Sequence, residues 1–499
     1  MRVFSTSGSE KHMAPVERQL FIGGASRPSS TGRTEQDTNP WTGEVFATVA
    51  AASPDDATAA VDAAAAAFDE WSATDPGTRR RIFLRAADLL EARADDVVPL
   101  MAQEVGGTRP WALFNVGLAA DVLREAAAVT TAPRGEVLSS ADSGAWGFAL
   151  RQPAGVVAAF APWNAPLILG VRSFAVPIAT GNTVVLKPSE DAPISAGLLL
   201  AEIMQEAGLP DGVLNVVTNA RADAAEVGNA LIADPRVRRV NFTGSTAVGR
   251  SIGVEAAKHL KPAVLELGGK NSILVLDDAD LDYAVNAVTF GAFMNAGQIC
   301  MSADRVLVPR ELEQEFTERF AEKVAGLPCG APDAPDTVIG PVISAAAAER
   351  IFGLVEDALA KGAVAHCGGE PPKGALLAPT VLSNVTPQQR IHSEEIFGPV
   401  TTVLPYDRVE DAVEVINSTP YGLTAGVITE DVRRGWEIGQ RVQTGIFHIN
   451  DQSVGDEPQA PFGGVKDSGY GRFGGRNGVD SFTETRWLTF RSRHAQFPF

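Results

Sequence analysis

One cysteine and one glutamate carry most of the chemistry legible in this sequence. Cys300 lies in Asn295-Ala-Gly-Gln-Ile-Cys300-Met301-Ser302, a glycine-containing stretch that follows an apolar helical run. Glu266 lies in Leu265-Glu266-Leu267-Gly268-Gly269-Lys270, where an apolar run meets two glycines. A thiol is a strong nucleophile only as its thiolate, so a carboxylate that can take its proton, or take one from water, gives the two residues a joint chemical meaning. Each also has a plainer reading. A lone cysteine is usually a small buried apolar residue, and that reading is adopted for Cys329 and Cys367. A strand-end glutamate near Lys270 could simply pair with it. The apolar neighbours Val264, Leu265 and Leu267 predict partial burial of Glu266, which raises a carboxyl pKa toward that of a useful base.

These residues need a frame to hold them. Apolar runs at 156–160, 183–186, 213–217 and 237–242 read as strands. Helical patterns at 166–179, about 193–207, near 222–233 and at 245–259 alternate with them. Such alternation predicts an α/β fold with a doubly wound parallel sheet, whose ligands sit at the carboxyl ends of the strands. A second α/β unit starts near 266, with strands at 272–276 and 305–308, helices near 281–295 and 311–325, and alternation to about 446. Residues 55–71 and 77–105 read as Ala/Leu-rich helix. Segments 135–141 and 145–153 read as a hairpin interrupting the first unit, and 481–492 as a distant strand; two such outlying pieces often make a subunit contact. In Phe242-Thr-Gly244-Ser245-Thr-Ala-Val248-Gly249 a strand gives way to a helix, a place where backbone N–H groups favour phosphate. The spacing is not GxGxxG, and on its own Ser245 reads best as a helix cap.

Composition removes several function classes. At 499 residues the chain is long enough for roughly two or three domains. A formal charge of −19 argues against nonspecific binding to nucleic acid or anionic membranes. Three cysteines without CxxC or a Cys/His cluster predict neither a disulfide framework nor a metal site, and fit a reducing cytoplasm. The polar first 19 residues lack the apolar core of a signal peptide, Met13 is an alternative start, and no apolar run is long enough to span a bilayer.

Three further segments complete a pattern. They are Ala161-Pro162-Trp163-Asn164-Ala165-Pro166, Val184-Val-Leu-Lys187-Pro188-Ser189-Glu190 and His392-Ser-Glu-Glu395-Ile-Phe397-Gly398-Pro399-Val400. With Pro420-Tyr-Gly-Leu-Thr-Ala-Gly426 and Pro461-Phe462-Gly-Gly-Val-Lys466-Asp-Ser-Gly469, the chain resembles the aldehyde dehydrogenase superfamily from about residue 20 to about 489. The resemblance implies two doubly wound α/β domains plus a small β oligomerisation element. It places the NAD-binding domain at 20–134 and 154–265 and the catalytic domain at 266–446. The oligomerisation element would be 135–153 and 478–499, with 447–477 a substrate-site loop returning to the NAD-binding domain. It implies Cys300 as nucleophile, Glu266 as the base for hydrolytic water, and Asn164 as an oxyanion donor beside the Cys300 N–H. It also implies NAD held by Pro162, Trp163, Lys187, Ser189, Glu190, Gly244, Ser245, Val248, Gly249, Leu267, Glu395 and Phe397. Lys187 and Glu190 would hold the adenosine ribose, and the Glu190 carboxylate favours NAD over NADP. Glu395 would accept from the nicotinamide ribose, with Phe397 near the ring.

One departure narrows the group. Many members carry an acid after Gly-x-Gly-Arg, proposed as part of a proton relay, but here Gly471-Arg472 precedes Phe473, so Glu266 needs another route for its proton. Gly469–Gly475, Ile449-Asn-Asp-Gln452 and Asp456-Glu-Pro458 resemble bacterial aromatic aldehyde dehydrogenases acting on salicylaldehyde, vanillin or benzaldehyde. Ala165 leaves room for a flat ring, Trp111, Phe114 and Phe462 could form aromatic walls, and Ile299 and Met301 flank the thiol. Arg172 would meet a ring hydroxyl or carboxylate, or form a salt bridge. The competing readings are an aliphatic or semialdehyde dehydrogenase, a coenzyme A-acylating one, which generally lacks the glutamate, and a non-catalytic binding protein. Relatives of this kind form homodimers or homotetramers.

Overall fold

The computed structural model describes residues 16–499. The expectations for the polar first stretch up to residue 15, including Met13, lie outside that span.

Two large sheets organise the described residues. In the eight-stranded sheet, Ala263–Glu266, Val237–Thr243, Val156–Ala161, Thr183–Pro188 and Leu214–Val216 run parallel side by side. Antiparallel pieces, Gly469–Tyr470 at one end and Leu20–Ile22 with Ala25–Arg27 at the other, complete it. Every residue of Val156–Ala161 and Thr183–Pro188 is buried, as expected of strands covered on both faces. The seven-stranded sheet runs Val364–Cys367, Thr380–Ser383, Val400–Tyr406, Ala303–Pro309, Asn271–Val275, Thr424–Ile428 and Ile446–Ile449, all parallel except the first. The predicted doubly wound α/β architecture is therefore present twice.

Strand direction aligns the chemistry. Val156–Ala161 ends just before Pro162, Thr183–Pro188 before Ser189, and Val237–Thr243 before Gly244. Thr243 pairs with Glu266, and Glu266 pairs with Gly469 on its other side. Four segments far apart in sequence thus leave one edge of one sheet.

Some boundaries differ from expectation. The run 77–105 is two helices, Pro76–Ala92 and Ala94–Val105, broken at Arg93 with ψ 13°. The second helix starts afresh with Asp95 and Asp96 in its first turn, where carboxylates suit the helix dipole. The segment 193–207 opens as a wide turn, Ile194–Leu198, before Leu199–Glu206. Buried Glu104 explains this by accepting the N–H groups of Ile194 (2.7 Å) and Ser195 (2.9 Å). The helix begun at Leu281 stops at Phe293 because the backbone then turns left-handed.

The expected hairpin and distal strand meet. Thr483–Arg491 pairs along its length with Ala145–Pro153, which pairs with Gly135–Leu138. Asn182 ties this sheet to the first unit. Its Oδ1 accepts the N–H groups of Ala154 (2.7 Å) and Gly155 (3.0 Å), and its Nδ2 donates to the Phe482 carbonyl (2.9 Å). Asn182→Ala strands these buried groups and should cost roughly 2–4 kcal/mol, read from denaturant unfolding. A loss within error would show that water replaces the amide.

Candidate active site

Cys300 is presented by an unusual turn. Asn295 (φ 51°), Ala296 (φ 52°) and Gly297 (φ 69°) are all left-handed. Only glycine takes such a backbone freely, so the two non-glycine residues store strain beside a reactive group. The turn is tied down on both sides. The Asn295 side-chain amide donates to the Asn164 carbonyl (3.0 Å), and that of Asn271 donates to the carbonyls of Cys300 (2.7 Å) and Ser302 (3.0 Å). A Cβ on Gly297 would lie 2.1 Å from the Gly398 carbonyl oxygen, so the turn also fits against the 395–398 segment.

The thiol lines a cavity of about 310 Å³ together with Pro162, Trp163, Asn164, Gly244, Ser245, Glu266, Leu267, Glu395 and Phe397. Trp163 and Phe397 meet edge to face at 5.6 Å. Asn164 donates one amide hydrogen to the Gln298 carbonyl (2.9 Å), while its own backbone carbonyl accepts from the Trp111 indole (3.1 Å). An amide nitrogen has a second hydrogen to offer.

Burial dominates the electrostatics. It pushes the Cys300 thiol up, with Glu266 and Glu395 adding in the same direction. It also pushes the Glu266 carboxyl well up, against the pull of Arg172 and Arg472. Neither Glu266 oxygen has a hydrogen-bond partner in the structure. The plain ion-pair reading of Glu266 is corrected here: Lys270 sits 3.1 Å from Asp304 instead. A buried ammonium takes the carboxylate that its strand geometry places closest. Glu395, raised by burial to about 7, accepts the Gly269 N–H at 2.9 Å.

The other expected cofactor residues surround this cavity without all lining it. Lys187 Nζ reaches Glu190 Oε1 (2.7 Å) and Asn219 Oδ1 (2.8 Å), and Asn219 also donates to Glu190 (2.8 Å). Burial works against the Glu190 charge, but the Lys187 ammonium holds its pKa below the ordinary value. Ser189 follows on the same turn, its hydroxyl accepting the Asp191 N–H (3.3 Å). Ser245 caps the helix Thr246–Lys258 by accepting the Val248 N–H. A Cβ on Gly249 would lie 2.2 Å from Leu267 Cδ2, so that glycine lets helix and strand end approach. Among the described residues, no group of three or more His, Cys, Asp or Glu is placed to hold a metal. Among the described residues, no helix is long and apolar enough to cross a membrane.

The expected substrate residues separate. Phe114 and Phe462 line a second cavity of about 490 Å³. Trp111 stacks on Phe114 at 5.5 Å but is itself buried in the core. Ala165, Ile299 and Met301 are buried in the same core and line neither cavity. Arg172 resolves to its salt-bridge alternative: Nη2 meets Asp456 Oδ2 at 2.6 Å, with the guanidinium 4.4 Å from the centre of the Phe462 ring. Arg350 and Gln298 in the first cavity, and Phe290, Met294 and His448 in the second, were not foreseen. Arg350 and Phe290 come from helices and His448 from a strand that carry no local motif, whereas Gln298 lies within the Cys300 segment and Met294 just before it.

The sequence profile of the aldehyde dehydrogenase family matches residues 27–488. The chain belongs to the aldehyde dehydrogenase family. It is 52% identical over 479 residues to a vanillin dehydrogenase of a Pseudomonas species, covering 96% of this chain and 99% of that one. It is 38% identical over 462 residues to a benzaldehyde dehydrogenase [NAD(+)] of Pseudomonas putida, covering 92% and 94%. The crystal structure of a salicylaldehyde dehydrogenase from Pseudomonas putida G7 complexed with salicylaldehyde superposes with a TM-score of 0.95 at 42% identity, covering 97% of this chain and 100% of that one.

The raised Glu266 pKa has a stability consequence. Between its unfolded value near 4.5 and its higher native value, the native dehydrogenase binds more protons than the unfolded chain. Its stability therefore falls as pH rises through that window. Glu266→Gln removes this term, so its stability relative to the parent should grow as pH rises above about 4.5. Thermal unfolding of both proteins across pH checks this, and a constant difference would contradict it.

Proposed function

We propose that this dehydrogenase oxidises an aromatic aldehyde to its carboxylic acid with NAD. The observation that carries the reading is the meeting of Cys300, Glu266 and the Asn164 amide on one cavity, with an aromatic-walled cavity formed nearby by Phe114 and Phe462.

The residues fit the cofactor. Gly244 and Ser245, at the start of a capped helix, suit a pyrophosphate, and Glu190, ionised beside Lys187, suits ribose hydroxyls and repels a 2′-phosphate. NAD is accordingly favoured over NADP. Gly268 leaves space that Glu395 fills, since a Cβ there would lie 2.5 Å from Oε2, and this places the carboxylate against the cavity. When bound, the nicotinamide supplies the acceptor for hydride from the aldehyde carbon.

The remaining steps belong to the protein. The Cys300 thiol attacks the aldehyde carbon after passing its proton to the Glu266 carboxylate, which sheds it before the hydrolytic step, and the thiohemiacetal oxyanion is stabilised by Asn164 Nδ2 and the Cys300 N–H. Loss of hydride leaves a thioester on Cys300. Glu266, kept protonatable by burial, takes a proton from the water that hydrolyses it. Retention of Glu266 favours water over coenzyme A as acceptor. Residues 20–134 with 154–265 then serve as the NAD-binding domain and 266–446 as the catalytic domain, with 447–477 supplying the substrate-site loop. The chain acts in the cytoplasm.

The sheet formed by 135–153 and 478–499 is assigned to subunit contact. Trp146 (56% exposed), Trp487 (73%) and Phe490 (56%) stand in the open on paired strands, an apolar surface suited to a homodimer or homotetramer. Trp487→Asp should lower the particle mass in light scattering, and an unchanged mass would place the interface elsewhere.

Steady-state release of reduced nicotinamide over benzaldehyde, salicylaldehyde, vanillin, hexanal and succinic semialdehyde tests the activity. Ring aldehydes should exceed the others in kcat/KM by roughly tenfold or more, and Cys300→Ala should abolish turnover. Preference for hexanal or the semialdehyde would keep the chemistry and refute the aromatic pocket. No turnover with any would restore the binding-protein reading.

A further inference from the structure

Two buried polar atoms on the second cavity have no hydrogen-bond partner, His448 Nε2 and Asp456 Oδ1, and the carboxylate oxygen is the stronger acceptor. The cavity walls are largely apolar, with Phe114, Phe290, Met294 and Phe462 among them. Asp456 also lines it, and the carboxylate is used on one side only. Oδ2 meets Arg172 Nη2 at 2.6 Å, while Oδ1 is shielded from solvent and has no hydrogen-bond partner. Both side chains are only 6% exposed. A carboxylate can accept several hydrogen bonds, and a buried oxygen that makes none is costly to keep.

Arg172 is not free to read a substrate, since Asp456 binds its guanidinium and Phe462 lies under it. The remaining charged groups on this cavity are acidic, Asp451 and Glu457. Burial lowers the His448 pKa, leaving a neutral imidazole. Such a cavity favours an uncharged hydrogen-bond donor and disfavours an anion. The donor that a flat aromatic aldehyde carries most simply is a ring hydroxyl.

We propose that Asp456 determines ring specificity: its unpartnered carboxylate oxygen accepts a hydrogen bond from a hydroxyl on the substrate ring, so neutral hydroxybenzaldehydes are preferred. The proposal rests on the aromatic-aldehyde reading. Arg172 is then a positioning residue, fixing the carboxylate through one oxygen so that the other remains unpaired.

The test compares each ortho, meta and para hydroxybenzaldehyde with its methoxy counterpart, using kcat/KM of the full-length enzyme. The parent should favour hydroxy over methoxy at one ring position by roughly tenfold or more, as expected for a hydrogen bond to a charged acceptor. Asp456→Asn keeps the shape and an oxygen for Arg172 but turns the free acceptor into a donor. Its hydroxy-to-methoxy ratio should fall to about one or invert. The double variant Asp456→Leu with Arg172→Met removes both charges together, avoiding a stranded guanidinium, and its ratio should also collapse. A ratio unchanged by both variants overturns the proposal. So does a ratio that collapses in His448→Phe but holds in Asp456→Asn. The ring aldehydes as a set separate the two levels: failure of the parent to oxidise any of them counts against the aromatic reading, whereas oxidation with an unmoved ratio counts against Asp456 alone.

Discussion

The left-handed turn at Asn295, Ala296 and Gly297 is the constraint on which the active site depends. Left-handed backbone at two non-glycine residues costs on the order of 1–3 kcal/mol each and persists only when surrounding contacts over-determine it. Those contacts come from three directions. Asn164 belongs to the end of a strand in the first sheet, Asn271 to the start of a strand in the second, and Gly398 to the segment that carries Glu395. The thiol is therefore fixed relative to both sheets at once. The same contacts fix the groups that must act on it, because Asn164 and Glu395 are themselves part of the clamp.

That clamp buries acids beside a thiol, with a predictable electrostatic outcome. Cys300 feels burial first, then Glu266, Glu395 and Asp456, with Arg172 opposing. Burial and the neighbouring carboxylates work together against ionisation of the thiol. The opposing arginine is committed to Asp456, and the Lys270 ammonium to Asp304. Counter-charge in this region is thus held by other carboxylates, which leaves Glu266 poorly compensated and able to hold a proton.

How far this was legible from sequence depended on whether partners were local. Glu266, Cys300 and Asn164 each sit in a short apolar-then-glycine or proline-rich segment, and the strand pattern placed Glu266 and Asn164 at carboxyl ends that do share an edge. Lys187 and Glu190 are three residues apart and meet on one turn, but Asn219, which bonds both, is not foreshadowed locally. Arg172 and Asp456 are 284 positions apart, so only the fold could show that the arginine is already paired. Trp111 was read as a wall and is a support behind one, because helical spacing does not reveal which of two aromatic residues faces a cavity. The break at Arg93 has no local signal, because alanine-rich composition is equally good helix on either side of a kink.

Phe473 shows how a missing group reshapes its surroundings. It is buried, packs 6.2 Å from Phe482 and pairs through its backbone with Phe462. An ionised carboxylate in that position would lose its hydration among apolar side chains. The next residue after Phe462 is Gly463, where a Cβ would lie 2.5 Å from Glu266 Oε1 and 2.7 Å from Arg472 Cδ. Glu266 is thus bounded on this side by bare backbone and an arginine stem, with aromatic packing beyond. The other boundary of Glu266 is the cavity it shares with Cys300 and with Glu395, a carboxyl raised to about 7.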